Sequence, residues 1–158
     1  MPEPTYREIP QSDIPIAQEL RALMIREMDD RDPDALHPTW RQRYLEFYST
    51  RMAQGRAALF LAESDAKPIG VAAVYLMTNH RSEIFGFQSA YVSNVWVEPE
   101  CRRRGIASKL TSMAVEWAKQ KGCEVIRLRS SKMGRSVYAG LGFVTTDEME
   151  FRLSRPVT

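Results

Sequence analysis

The chain has 158 residues, of which 44% are hydrophobic and 27% charged, and its formal net charge is +2. This composition is ordinary for a globular protein and excludes collagen-like, low-complexity and disordered classes. No apolar run approaches the roughly 20 residues of a membrane span, and Met1 to Pro10 lacks the apolar stretch of a signal peptide. We therefore expect one cytoplasmic domain over residues 1–158.

The first half of the chain is predicted to hold a short strand, two helices and three further strands. Apolar residues recur at helical spacing after Ser12 or Asp13 and again over 38–54, and Gly55 ends the second helix. Two apolar runs separated by turn residues then predict a hairpin. The predicted strands are 5–9, 57–62, 69–77 and 90–97.

The second half begins with an amphipathic helix over 104–121, whose apolar residues are Ile106, Leu110, Met113, Ala114 and Trp117. A strand at 125–128, a helix at 133–141 and closing strands at 143–146 and 149–153 follow. The predicted order is β-α-α-β-β-β-α-β-α-β. This order favours a mixed α/β sandwich with α+β character.

Charge is distributed unevenly along the chain. Residues 101–135 carry ten basic and two acidic side chains, a net charge of +8, whereas residues 1–100 carry ten basic and fifteen acidic side chains. The second part is therefore predicted to bind an anion. Because its basic residues lack interleaved aromatic side chains, nucleic-acid binding is the less favoured alternative, and we expect no nucleic-acid or membrane partner.

The segment 95–107 contains the most informative pattern. A strand leads into a loop with three consecutive arginines and Gly105, after which a helix begins. Helix N-termini bind phosphate through unpaired N–H groups, and a glycine lets a phosphate approach the backbone. A single glycine distinguishes this loop from dinucleotide-binding fingerprints. A basic, solvated loop before an ordinary helix remains the alternative.

Two blocks resemble the GNAT superfamily of acetyl-CoA-dependent N-acetyltransferases. They are Arg-x-x-Gly-x-Ala at 102–107 and Tyr-Ala-Gly-Leu-Gly-Phe at 138–143. The resemblance is strong from Val92 to Phe143 and weak before Ala57. It implies a GNAT-like fold and transfer of acetyl from acetyl-CoA to a primary amine, on a small molecule, a lysine or a protein N-terminus, without a metal.

The resemblance also implies roles for individual residues. The Val95 N–H would stabilise negative charge on the thioester oxygen, and Tyr138 would be the catalytic acid that protonates the departing thiolate. Two positions depart from the family pattern, since Ser131 replaces a common asparagine and Gly134 a common alanine. The implied acetyl-CoA-binding residues are Val95, Val97, Arg102, Arg103, Arg104, Gly105, Ile106, Ala107, Ser108, Ser131 and Arg135.

Several alternatives stay open at this stage. Tyr138 could be a core residue, and the chain could be a non-catalytic acyl-CoA-binding regulatory module. His80 or Glu83 could accept the amine proton, although both fit solvated positions. The first two helices and the loop at 80–89 are expected to form the acceptor pocket, where an acidic segment would favour a cationic amine; its members are Glu27, Asp29, Asp30, Asp32 and Asp34. A homodimer is one option for the assembly.

Cys101 and Cys123 show neither a disulfide framework nor zinc spacing with the two histidines, so we expect reduced thiols and no metal site. Cys101 beside three arginines could be reactive. A small packing residue is the preferred interpretation.

Overall fold

The structure is a computed structural model that describes residues 2–154. Within them, no helix is long and apolar enough to cross a membrane. The strands are β1 (Thr5–Glu8), β2 (Ala57–Ser64), β3 (Lys67–Met77), β4 (Gln88–Val97) and β5 (Cys123–Leu128). The helices are α1 (Ile14–Asp29), α2 (Pro33–Leu36), α3 (Trp40–Ala53), α4 (His80–Phe85), α5 (Ile106–Gln120) and α6 (Arg135–Gly140).

The five strands form one sheet in chain order. Neighbours from β1 to β4 are antiparallel, and β4 and β5 are parallel. A parallel pair needs a crossover connection, which α5 provides. The predicted hairpin is confirmed, since Ser64 pairs with Lys67 across a turn formed by Asp65 and Ala66, both at positive φ.

Helices cover both faces of the sheet, and each face has its own core. On one face, α5 packs on the sheet through Ile106, Leu110, Ala114 and Ala118. On the other, α1 and α3 pack over a second set of apolar side chains. Because β2 is covered on both faces, its sequence is a continuous apolar run rather than an alternating one.

The two closing strands predicted at 143–146 and 149–153 are wrong, because neither segment forms a strand in the described chain. Their apolar side chains stay in solvent, with Val144 81% and Met149 93% exposed. Hydrophobic alternation indicates which side chains would share a face of a strand. It does not indicate whether that strand pairs with the edge of a sheet. The sheet of the described residues therefore ends at β5.

Two short helices escaped the sequence interpretation. The stretch expected to be a loop contains α4, which begins with a reciprocal cap between Asn79 and Ser82 and ends at Gly86 in the left-handed conformation. The acidic segment contains α2, where Pro33 occupies the first turn and Asp32 caps the Asp34 N–H. Proline there starts a helix as well as ending the preceding one.

Gly70 sets how closely α5 approaches the sheet. A Cβ at this position would lie 3.1 Å from Leu110 Cδ1 and 3.3 Å from both Ile106 Cγ2 and the Trp96 carbonyl oxygen. We expect Gly70→Ala to lower the free energy of unfolding by about 1–3 kcal/mol, because it overpacks this contact. Gly140→Ala is the control, since a Cβ there meets nothing within 4 Å. Urea unfolding in which both variants match the parent would contradict this packing account.

Candidate active site

The central feature of the site is a gap between β4 and β5. Their parallel pairing runs from Gln88↔Cys123 to Val92↔Leu128, whereas β4 continues to Val97. Residues 93–97 therefore lack a strand partner on the β5 side within the described chain. We name this gap the fork. Its unpaired backbone groups can bind an extended ligand as an additional strand would.

A β-bulge lies at the start of the fork. Asn94 and Val95 together stand opposite Ala72 of β3, and Asn94 has a φ of +55°. Bulges bend a strand and increase its twist, which accounts for the separation of β4 from β5 at this point. Asn94 Nδ2 donates a hydrogen bond of 2.9 Å to the hydroxyl of Tyr44 on α3. Asn94 is buried, and burial raises the pKa of Tyr44 well above its usual value.

Beyond the bulge, the side chains of β4 face opposite cores. Val95 and Val97 pack with the α5 core, and Trp96 packs with the α1–α3 core, as the sequence predicts for a packing residue. The Trp96 indole N–H also donates to a carboxylate oxygen of Glu27 at 3.1 Å. The predicted site strand is therefore present, with its backbone along the fork.

The arginine loop follows β4 and leads into the N-terminus of α5. Gly105 is the residue before the helix, with a φ of +77°, and a Cβ on it would meet no atom within 4 Å. The first N–H groups of α5, on Ile106, Ala107 and Ser108, have no partner within the helix turn. Open space over a positively polarised helix end is the geometry that binds a phosphate.

A half-buried tyrosine lies in α6. The Tyr138 ring is 6.0 Å from the ring of Phe143, and its hydroxyl has no partner among residues 2–154. Burial raises the pKa of Tyr138 above its usual value, so the phenol stays protonated at neutral pH. A Cβ on Gly134 would lie only 2.9 Å from the Tyr138 ring, which explains the glycine at that position. Ser131 Oγ accepts the Gly134 N–H at 3.1 Å.

The family model for acetyltransferase (GNAT) proteins matches residues 18–143. This chain belongs to that family. A predicted acetyltransferase of Clostridium acetobutylicum, solved with acetyl-CoA, is 25% identical to this chain. The TM-score is 0.80, and the match covers 96% of this chain and 97% of that protein. The resemblance drawn from the 102–107 and 138–143 blocks is thereby confirmed, as is the mixed α/β fold.

Two curated relatives extend the comparison. An uncharacterised N-acetyltransferase of Methanocaldococcus jannaschii is 30% identical over 107 residues, which are 66% of this chain and 45% of that protein. An aminoglycoside N(6')-acetyltransferase of Klebsiella aerogenes is 26% identical over 91 residues, which are 58% of this chain and 59% of that protein. This chain thus spans roughly half of the length of both curated relatives.

The three arginines of this GNAT loop have different surroundings. Arg102 Nη2 lies 2.7 Å from both carboxylate oxygens of Glu27, and its Nε donates to the Val97 carbonyl at 2.9 Å. Arg104 donates to the Pro2 carbonyl at 3.3 Å. Arg103 is exposed, has a φ of +64°, and forms no ion pair in the described chain. Arg102 thus braces the loop, whereas the Arg103 guanidinium can bind an external anion.

The acidic segment is largely occupied by arginines of the protein itself. Besides the Glu27–Arg102 pair, Arg26 lies 3.3 Å from Asp32, and Arg41 Nε lies 2.8 Å from Asp34. Hydrogen bonds from Arg41 and Trp40 lower the pKa of Asp34. Three of the five predicted cation-binding carboxylates therefore already pair with arginines.

Two cavities open on the sheet near the predicted acceptor region. One of about 390 Å³ lies between the end of α3 and the end of β3, and a smaller one of about 170 Å³ adjoins α4. Glu83 lines the smaller cavity, and His80 is exposed at the start of α4. The larger cavity is lined by residues of the second long helix and of β3 rather than the first helix.

The remaining predicted positions lie as follows. Arg135 begins α6 and is exposed. Cys101 is a free thiol that is only 4% exposed, and it packs in the core beneath α5. Residues 2–154 hold no group of three His, Cys, Asp or Glu side chains placed to bind a metal ion.

The sequence interpretation missed Asn94 and the arginine-lined larger cavity. An asparagine within an apolar strand was the available signal for Asn94, because asparagine tolerates the left-handed conformation better than most residues. No local sequence pattern indicates the cavity, because its lining combines residues of α3, of the segment just before β2 and of the end of β3.

The bulge should depend on asparagine at position 94. Asn94→Gly keeps access to positive φ and loses the hydrogen bond to Tyr44, whereas Asn94→Val loses both and strains the backbone. We expect Asn94→Val to lower the free energy of unfolding by about 1–3 kcal/mol more than Asn94→Gly does. Equal denaturation midpoints and slopes for the two variants would show that the bulge does not require a residue that readily adopts positive φ at position 94.

Proposed function

We propose that this GNAT protein transfers the acetyl group of acetyl-CoA to a primary amine. The observation that carries the proposal is the continuity of the fork with the N-terminus of α5. Acetyl-CoA combines an extended amide-containing arm with a pyrophosphate. An unpaired strand edge that leads directly to a phosphate-binding helix end suits both parts.

The residues present fit that ligand. Backbone groups along 93–97 would pair with the extended arm, and Arg103 would add a charge-assisted bond to the pyrophosphate beside the N–H groups of α5. The Ser131 hydroxyl can still donate a hydrogen bond, because its oxygen accepts the Gly134 N–H. Arg135 is exposed at the start of α6, and its guanidinium would add a further charge for a phosphate.

Acetyl-CoA supplies an acyl group on a good leaving thiolate. The Val95 N–H would stabilise the negative charge that develops on the acyl oxygen as the amine nitrogen attacks. A C–N bond forms and the C–S bond breaks. Tyr138 would donate its phenolic proton to the departing sulfur, and the proton lost by the amine passes to water or to Glu83. Because burial raises the pKa of Tyr138, the phenol is protonated at neutral pH and has a proton to donate.

A matched pair at position 105 tests the phosphate site. Both Gly105→Asn and Gly105→Asp tolerate positive φ, and both side chains cap helices well, so the two variants should be equally stable without ligand. They differ only in charge. We expect Gly105→Asp to bind acetyl-CoA about tenfold or more weakly than Gly105→Asn, because a carboxylate repels the pyrophosphate.

The measurement is the thermal shift of both variants and the parent as a function of acetyl-CoA concentration. Equal dissociation constants for the Asn and Asp variants would place the pyrophosphate elsewhere. No shift of the parent at millimolar acetyl-CoA would reject the donor itself.

Tyr138→Phe tests the acid. The substitution keeps the ring that packs on Gly134 and Phe143, and it removes a hydroxyl with no partner in residues 2–154, so thermal stability should hold. We expect kcat to fall about tenfold to a thousandfold with little change in acetyl-CoA affinity. Thiol release, binding and Tm are measured on the same preparation. Normal kcat with reduced Tm would assign Tyr138 to packing alone.

A further inference from the structure

The larger cavity lies between the end of α3 and the end of β3. Tyr91 of β4 stands opposite Arg127 of β5, one residue before the last pair of that ladder. Its ring stacks on Tyr75 at 5.7 Å, and Tyr75 meets Phe47 of α3 edge-on at 5.2 Å. Phe47 and Tyr75 line the cavity. A row of three aromatic rings therefore connects the start of the fork with the cavity, on the sheet face opposite α5.

Two arginines line the same cavity. The Arg51 guanidinium stacks 3.6 Å from the centre of the Phe47 ring, and its Nη1 donates to the Phe47 carbonyl at 3.2 Å. Arg56 Nη2 donates to the hydroxyl of Thr78 at 3.2 Å. Stacking and a hydrogen bond hold the Arg51 guanidinium, and a hydrogen bond holds that of Arg56, while their other N–H groups remain able to donate.

Neither arginine is neutralised. Among residues 2–154, no carboxylate forms an ion pair with Arg51 or Arg56, and the described lining of the larger cavity contains no acidic residue. Glu83 lines the adjoining smaller cavity, which also includes Arg56. Arginines elsewhere on the surface do pair with carboxylates, as Arg26 and Arg102 illustrate.

We propose that the acceptor is an amine that also carries an anionic group, a carboxylate or a phosphate, which Arg51 and Arg56 bind while its amine points along the aromatic row to the fork. The inference rests on the proposed acetyl transfer and specifies its substrate class. A planar, donor-rich guanidinium binds carboxylate and phosphate equally by paired hydrogen bonds. Phe47 and Tyr75 supply apolar contact for the body of the acceptor.

The test uses amines that differ only in the charge of their distal group. The first set is 4-(aminomethyl)benzoate, 4-(aminomethyl)benzamide and 1,4-bis(aminomethyl)benzene, which are anionic, neutral and cationic at that group. The second set compares glucosamine 6-phosphate with glucosamine, which separates phosphate from carboxylate recognition. Release of free thiol from acetyl-CoA gives kcat and KM for each amine.

We expect at least one anionic amine to have a kcat/KM about tenfold or more above its neutral counterpart. Arg51→Gln and Arg56→Gln should each raise KM for that amine about ten- to a hundredfold, with kcat and acetyl-CoA affinity little changed. Arg51→Glu should favour the diamine instead. Arg43→Gln is the matched control, since Arg43 is an exposed arginine of α3 outside the cavity lining.

The outcomes separate the two proposals. Turnover of neutral or cationic amines that equals or exceeds that of the anionic ones, unchanged by Arg51→Gln, overturns the anionic acceptor and leaves acetyl transfer standing. Absence of thiol release with all five amines, despite acetyl-CoA binding, overturns both.

Discussion

Parallel pairing between β4 and β5 stops at Val92 and Leu128, because the Asn94–Val95 bulge turns the rest of β4 away from its neighbour. A sheet strand inside a fold normally satisfies its backbone groups on both sides. Among residues 2–154, one side of 93–97 has no strand partner, because the pairing with β5 ends at Val92 and Leu128. A ligand with its own amide groups can therefore complete the ladder. The rest of the proposed donor site depends on this gap, since the chain continues from β4 through the arginine loop to the N-terminus of α5.

The bulged end of β4 is held by long-range contacts to the helices on one face. Tyr44 of α3 accepts from Asn94, and Glu27 at the end of α1 binds both the Trp96 indole and the Arg102 guanidinium. These bonds join positions 50, 69 and 75 residues apart in the chain. A strand end that lacks a neighbour on one side needs other contacts to hold its position. The contacts hold the bulged end of β4 from the α1–α3 face of the sheet.

The sequence predicted the parts of this site that local chemistry determines. The helical period of α5, the strand before it and Gly105 at its start all depend on neighbouring residues, so their placement was readable. The bulge was not, because one asparagine at positive φ leaves the hydrophobic pattern of β4 almost unchanged. Nor was the pairing of Arg102 with Glu27, which depends on how α1 crosses the sheet. The roles of Val95 and Tyr138 stay predictions from the resemblance.

The attraction for an anion would come from different groups at the two ends of the proposed site. At the proposed donor end, much of the attraction for an anion would come from backbone N–H groups of α5, which many sequences can supply once a glycine precedes the helix. At the proposed acceptor end, it would come from side chains, and the net charge of the sequence does not show which of them are already paired. The carboxylates at 27, 32 and 34 are paired with arginines, whereas Arg51 and Arg56 are not paired with carboxylates in the described chain.

An acidic segment that looks like a cation site in the sequence thus has three of its carboxylates paired with arginines. Arg51 of α3 and Arg56, which lies just before β2, have no such partner among residues 2–154. Preference for an acceptor depends on the difference between paired and unpaired charges near the amine, because a paired carboxylate must first lose its arginine before it can bind a cation. By this criterion the acceptor end of this protein differs in sign from what its acidic segment suggests. Similarity to an aminoglycoside acetyltransferase at 26% identity therefore supports the fold and does not assign the substrate.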